Sequence, residues 1–220
     1  MKREIIITND GSSSIYVPEL NETYHSKNGA IQEAYHVFIN AGFSQINKNS
    51  INILEIGFGT GLNAFITYLE AKKTNTQINY IGVEAYPVSH EEIKVLNYVK
   101  ELNVNSEHSV FDMMHHLDWG VENEISPQFK ITKRKQLFQD INDFECYDLI
   151  YFDAFGFSVQ PELWSEEIFQ AMYNSLLING VLVTYACRGS IKRAMLKVGF
   201  KVEKLPGAPG KREMLRALKI

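Results

Sequence analysis

Residues 51–61 read Ile-Asn-Ile-Leu-Glu-Ile-Gly-Phe-Gly-Thr-Gly, an apolar run that ends in three glycines on alternate positions. A predicted strand over 51–56 therefore meets a predicted helix over 62–72 across a turn built from Gly57, Gly59 and Gly61. Glycine tolerates positive φ, and without a Cβ it lets a ligand lie against the backbone. The next apolar strand, 78–83, ends in Glu84, 23 residues after Gly61. A carboxylate at the tip of the second strand is placed to accept from both hydroxyls of a ribose. Together these features point to a parallel α/β sheet with a nucleoside site at its strand ends.

The spacing of the glycines narrows the ligand. Dinucleotide-binding turns follow Gly-x-Gly-x-x-Gly, with a pyrophosphate resting on the helix N-terminus. Here the pattern is Gly-x-Gly-x-Gly, and Glu55 stands two residues before the first glycine. A carboxylate there repels a pyrophosphate but can hold the ammonium of an amino-acid moiety. Glu-x-Gly-x-Gly-x-Gly is similar to the first motif of the class I S-adenosylmethionine-dependent methyltransferases. That resemblance implies S-adenosylmethionine as cofactor, with Glu55, Gly57, Gly59, Gly61, Asn63 and Glu84 around it. An NAD site, or a purely structural glycine turn, is the alternative.

With 220 residues, 45% of them hydrophobic, the chain has ample material for one core. The expected division is an N-terminal cap over residues 1–45 and a methyltransferase body over 46–220, within one domain. The apolar run at residues 5–7 is too short for a signal peptide, and no stretch approaches a membrane span. Cys146 and Cys187 lack metal-type spacing, so reduced cytoplasmic thiols are expected. His108, His115 and His116 near Asp112 read as the wet face of a polar helix, and no metal is assigned.

Charge is segregated along the chain. Residues 188–220 carry ten Lys or Arg against Glu203 and Glu213, a balance of +8 in a protein whose net charge is −4. Such segregation fits a polyanion met by one face, or a pair of solvated surface elements.

Strand and helix signals alternate beyond the glycine turn. A helix is predicted over 88–102, and 104–127 is polar and without clear periodicity. A strand is predicted over 129–138, another over 148–152, a helix over 164–177, a strand over 180–186 and a short basic helix over 190–198. Strands over 200–204 and 213–218 flank the turn Pro206-Gly-Ala-Pro-Gly210. The expectation is a doubly wound, Rossmann-like sheet of seven strands with a C-terminal antiparallel hairpin.

In such sheets the strand ends converge on one pocket. Glu84, Asp140 and Asp153 each follow a strand. Asp140, with Ile141, is placed to meet an adenine amino group, or else caps a following turn. Asp153 faces the sulfonium and the incoming nucleophile. Phe155, Phe157 and Trp164 either stack on an unstacked nucleobase or, for Phe155 and Trp164, pack in the core.

Asp153-Ala-Phe-Gly-Phe-Ser-Val-Gln-Pro161-Glu-Leu-Trp164 resembles the strand-four motif of the tRNA 5-methylaminomethyl-2-thiouridine methyltransferases. Two further segments agree with that family: Tyr24-His25-Ser-Lys-Asn-Gly29-Ala-Ile-Gln-Glu33 near the start, and Gly210-Lys211-Arg212-Glu213-Met214-Leu215 near the end. The likeness runs from about Asp10 to Leu215. Ala154 stands where the family more often has Gly, and Ser158-Val-Gln160 replaces a more basic stretch, so no phosphate contact is expected there. The resemblance implies methylation of the 5-aminomethyl nitrogen on the tRNA wobble uridine, giving 5-methylaminomethyl-(2-thio)uridine. It implies Asp153 as catalytic residue and Tyr24, His25, Phe155, Phe157, Trp164, Arg188, Lys211 and Arg212 as contacts to the tRNA anticodon region. No FAD-binding half is recognised in these residues. A methyltransferase acting on a small molecule or protein, or a non-catalytic nucleotide-binding module, is the alternative on the same fold.

Overall fold

The computed structural model describes residues 2–220. The chain opens with a small antiparallel sheet of Glu4–Ile7 (β1), Ser13–Val17 (β2) and Glu22–Thr23 (β3), in the order β1-β2-β3. Helix Ala30–Ala34 (α1) then runs on as a π-helical segment, Tyr35–Asn40.

The alternating part begins with Ser50–Ile56 (β4), Leu62–Thr74 (α2) and Gln77–Glu84 (β5). Two single turns, His90–Ile93 (α3) and Tyr98–Glu101 (α4), precede helix His108–His116 (α5). Strands Glu122–Ser126 (β6), Phe129–Lys135 (β7) and Tyr147–Phe152 (β8) follow, then Glu166–Ser175 (α6), Leu176–Thr184 (β9) and Gly189–Lys197 (α7). Lys201–Pro206 (β10) and Glu213–Leu218 (β11) close the chain as a hairpin.

One sheet of eight strands runs in the order β10-β11-β9-β8-β4-β5-β7-β6. The central strands β9, β8, β4, β5 and β7 are parallel, and β11, β10 and β6 are antiparallel to their neighbours. Strand order reverses between β4 and β8, so their carboxyl ends open a crevice there. Along β4, Ile51 and Ile53 enter one core layer while Leu54 and Ile56 enter the other. That period of two is what a strand with both faces covered requires. α2 is buried along most of its length, and its end is capped by Asn75 in the left-handed region with Lys72 and Lys73 in the last turn.

The sheet has eight strands where seven were expected. The seven are all present, and the addition is β6, in the stretch without clear periodicity. Its sequence, Glu-Asn-Glu-Ile-Ser, buries only Ile125, as suits a polar edge strand. The helix expected over 88–102 is broken into α3 and α4. Ser89 and Glu92 form a reciprocal capping box that starts α3. Asn97 then leaves the helical path: its Oδ1 accepts from the Ser13 amide (2.7 Å) and its Nδ2 donates to the Gly11 carbonyl (2.9 Å). The asparagine side chain thus satisfies the backbone at the start of β2 and in the turn before it, at the expense of helix continuity. His115 is buried rather than solvated, packed between Phe58 and Phe111, while His108 and His116 remain outside. No helix of the described residues is long and apolar enough to cross a membrane.

Candidate active site

The turn between β4 and α2 is tight on both sides. Gly57 has φ +89°, and a Cβ on it would stand 2.5 Å from the Asp153 carbonyl oxygen at the end of β8. A side chain here would force the two central strand ends apart. The Gly57 and Phe58 amides both donate to the Val83 carbonyl at 3.0 Å, tying the turn to β5. Glu84 finishes that tie: its Oε2 accepts from the Gly59 amide (3.0 Å) and its Oε1 from the Tyr86 amide (2.9 Å). Each oxygen keeps a lone pair for a ligand hydroxyl.

Asn63, in the first turn of α2, joins two carboxyl groups. Its Nδ2 donates to Glu55 Oε1 and to Asp153 Oδ2, both at 2.9 Å. Glu55 is 0% exposed, and desolvation pushes its carboxyl well above the usual carboxylate range. Glu55 does not line the cavity, which corrects its expected direct contact with the donor: it stands behind Asn63 and holds it. Glu55 Oε2 and Asn63 Oδ1 have no partner among the described residues. Buried polar atoms are rarely left so, and Asn63, unlike Glu55, borders the cavity.

That cavity, about 480 Å³, lies over the crevice between β4 and β8. The glycine turn, Asn63 and Glu84 form one side, and Leu137, Phe138 and Gln139 border it after β7. Asp153, Ala154, Phe155 and Tyr185 form another side, and the N-terminal segment closes it with Glu22, Tyr24, His25 and Glu33. Tyr24 packs edge-on to Phe155 with ring centroids 5.1 Å apart, and its ring meets Gly59 where a Cβ would come within 3.2 Å. Burial and nearby Glu33 push the Asp153 carboxyl up to about 7, against the Asn63 hydrogen bond and the Lys211 ammonium, which lower it.

Several expected site residues stand elsewhere. Asp140 ends a 3-10 turn, Phe138–Asp140, and is exposed, while Ile141 is buried in the core below; neither lines the cavity. The cavity is bordered instead by the three residues immediately before Asp140, Leu137, Phe138 and Gln139. Trp164 is 2% exposed, donates its indole N–H to the Phe155 carbonyl (2.8 Å) and packs on Phe152. It is a core residue with its one donor satisfied. Phe157 also lies off the cavity, with the Arg188 guanidinium 4.9 Å from its ring centroid. His25 anchors the N-terminal segment: Nδ1 is 3.1 Å from Ser14 Oγ and Nε2 is 3.4 Å from Thr60 Oγ1. Lys211, expected at a phosphate, lies inside the cavity paired with Glu33, whereas its neighbour Arg212 is exposed.

Glu33, Tyr185 and residues 137–139 carry no motif in the sequence that marks them for this site. Glu33 closes the N-terminal segment that begins at Tyr24, and Tyr185 follows β9 beside the end of β8, so position at a strand end is the one signal they offer. Among the described residues no group of three or more His, Cys, Asp or Glu stands together in a way that could hold a metal ion.

Comparison with known proteins agrees with this architecture. Residues 121–220 match the model of a family described as S-adenosyl-L-methionine-dependent methyltransferases. The tRNA 5-methylaminomethyl-2-thiouridine biosynthesis bifunctional protein of Cupriavidus metallidurans is 26% identical over 96% of this chain and 33% of its own length. Its counterpart from Leptospira borgpetersenii is 29% identical over 89% of this chain and 32% of its own. The chain thus spans about a third of the length of these relatives. Among solved structures, MnmC2 from Aquifex aeolicus superposes with a TM-score of 0.75 at 21% identity, over 98% of this chain and 70% of that one. Spermidine synthase from Thermotoga maritima gives 0.56 at 16% identity, over 100% and 72%. At these identities the structural likeness is one of fold.

S-adenosylmethionine is the cofactor, and the cavity fits it: a glycine turn open to a ligand, Glu84 with free lone pairs for a ribose, and the unpartnered Asn63 Oδ1 as an acceptor for an ammonium. Residues 121–220 thus match a family of S-adenosylmethionine-dependent methyltransferases, and the chain is similar over nearly all its length to part of the bifunctional 5-methylaminomethyl-2-thiouridine biosynthesis proteins.

Proposed function

We propose that the protein methylates the amino nitrogen of the 5-aminomethyl group on the wobble uridine of tRNA, forming 5-methylaminomethyl-(2-thio)uridine, in the cytoplasm. The observation that carries this is Asp153, a carboxylate at the end of β8 that faces the same cavity as the glycine turn and is fixed by Asn63. When bound, S-adenosylmethionine supplies an electrophilic methyl group on a sulfonium. The chain's own contribution is then to deliver a nitrogen lone pair in line, for which positioning is the main lever. Asp153 accepts an N–H of the amine and orients it. Tyr24 and Phe155 form aromatic walls suited to a splayed uracil. Glu84 holds the ribose, Asn63 the amino-acid end, and the segment 1–45 serves as a cap within the same domain as 46–220.

The basic C-terminal region supports an RNA acceptor. Lys197, Lys204, Arg216 and Lys219 are engaged with Glu166, Glu213, Glu203 and Glu145. Arg188, Lys192, Arg193 and Arg212 have no carboxylate within ion-pair distance among the described residues, and Arg188 opens α7 just beyond β9; Lys201, opposite Leu218, lies at the far end of the sheet from the site. Free cations beside a site are what phosphate contacts draw on, and such contacts position without reading sequence. The testing experiment offers the protein tRNA carrying 5-aminomethyl uridine, alongside free amines and protein acceptors, and analyses the nucleosides. Methyl gain confined to the wobble nucleoside is the expected result; transfer to the other acceptors alone overturns the proposal.

A further inference from the structure

Two side chains from opposite ends of the chain, Glu33 and Lys211, pair in the wall of the cavity that Asp153 also lines. Glu33, on α1, is 6% exposed and accepts from the Ser26 amide (2.8 Å) and from the Lys211 ammonium. Lys211 belongs to the turn between β10 and β11, and its Nζ lies 3.8 Å from the centroid of the Tyr185 ring. The Tyr185 hydroxyl donates to the carbonyl of Ala154 (2.8 Å), the residue after Asp153. The turn is shaped for this delivery: the Lys211 amide donates to the Ala208 carbonyl (2.8 Å), and a Cβ on Gly207 would stand 2.5 Å from the Lys211 carbonyl oxygen. A lysine serving a tRNA phosphate has no need of a buried carboxylate and an aromatic face that turn it inward.

We propose that Glu33 and Lys211 are positioning residues that set the proton affinity of Asp153, and with it the pH range in which the acceptor amine is delivered without its extra proton. This rests on the methyl-transfer function proposed above. The groups that face Asp153 are few. Glu33 on α1 adds a negative charge and Lys211 in the β10–β11 turn a positive one. Asn63 on α2 donates a hydrogen bond, Glu55 on β4 has its carboxyl pushed well up by burial, and the phenols of Tyr80 on β5 and Tyr185 after β9 are likewise pushed well up by burial. Glu33 and Lys211 are therefore opposing charges held on one carboxylate.

The chemistry requires such a setting. The amine arrives as R–CH2–NH3+, and one proton passes to the Asp153 carboxylate, leaving R–CH2–NH2 with a free lone pair and a neutral carboxylic acid. As the new N–C bond forms, the S–C bond breaks and its electron pair stays on sulfur. The product is the secondary ammonium, and Asp153 afterwards releases its proton to solvent. A base effective near neutrality needs a proton affinity near the working pH.

The test uses the full chain with Lys211→Met, which keeps the stem, and Glu33→Gln, which keeps the shape. Two readouts are taken: the acid limb of kcat/KM with tRNA, and the 13C NMR titration of the Asp153 carboxyl in substrate-free protein, assigned by its loss in Asp153→Asn. Lys211→Met is expected to move both upward, by at least about half a pH unit, and Glu33→Gln to move both downward, the scale expected of a nearby charge. The salt dependence of tRNA binding is expected to stay as in the wild type for Lys211→Met. Unchanged titration, or movement in the same direction in both variants, overturns the proposal. Should Glu33→Gln fail to fold, Lys211→Met decides alone. Opposed NMR shifts without methylation of tRNA leave this inference standing and refute the function proposed above.

Discussion

Asn63 Nδ2 lies 2.9 Å from Asp153 Oδ2 and 2.9 Å from Glu55 Oε1, so a single amide on α2 ties the end of β8 to the interior of β4. The two carboxyls differ in surroundings. Glu55 is sealed, and burial pushes its carboxyl well above the usual range; Asp153 faces the cavity, and burial with nearby Glu33 pushes it up to about 7.

Asn63→Ala removes both donated bonds and leaves Glu55 without its hydrogen-bond donor. It is expected to destabilise the protein by about 1–3 kcal/mol, the scale of an unsatisfied buried polar group. It is also expected to raise the Asp153 proton affinity. Chemical denaturation reads the first effect and the carboxyl NMR titration the second.

Glu84→Ala is expected to weaken S-adenosylmethionine by roughly 2–3 kcal/mol, since it removes hydrogen bonds to a charged acceptor and frees the Gly59 amide. Calorimetry measures it, and unchanged affinity places the ribose elsewhere.

Acid stability follows from His25. Burial lowers its imidazole from about 6.5 in the unfolded chain to about 4. The unfolded state therefore binds the proton more readily in that window. The stability is fully present above pH ~6.5 and is lost as pH falls toward about 4. Thermal melts across this range are expected to decline less steeply for His25→Gln than for the wild type; parallel curves assign the loss to other groups.

Arg188→Ala and Arg212→Ala are each expected to reduce the slope of log affinity for tRNA against log salt by roughly 0.7–0.9, the value of one phosphate contact. Slopes equal to the wild type would remove these two residues from the RNA interface.

How much of this was legible in the sequence depended on the kind of signal. β4, β5, β8 and β9 announced themselves because a buried parallel strand is a largely apolar run, while β7 and the hairpin strands β10 and β11 showed a mixed polar and apolar pattern. Gly57, Gly59, Asn63, Glu84 and Asp153 fall at one cavity because strand ends converge at the switch point whatever the side chains do, while Gly61 faces His115 and Phe58 instead. β6 was not legible, since an edge strand with two glutamates has no buried face to advertise. Asn97 broke a well-patterned helix through long-range bonds to β2 that no local period encodes. Trp164 and Phe155 looked alike in sequence, yet only the structure shows that one indole N–H is satisfied inside the core while the other ring borders the cavity. The pairing of Lys211 with Glu33 spans 178 residues, and charge counting placed that lysine on the surface.

The most direct measurement of the central claim is single-turnover methyl transfer to tRNA by Asp153→Asn and Asp153→Ala, with S-adenosylmethionine affinity taken in parallel. Asp153→Asn keeps an acceptor oxygen but cannot take the proton; Asp153→Ala keeps neither. The predicted order is wild type, then Asn, then Ala, with Ala slower by at least about a hundredfold and donor affinity nearly unchanged. Full activity in Asp153→Asn, or donor affinity lost in step with turnover, would contradict it.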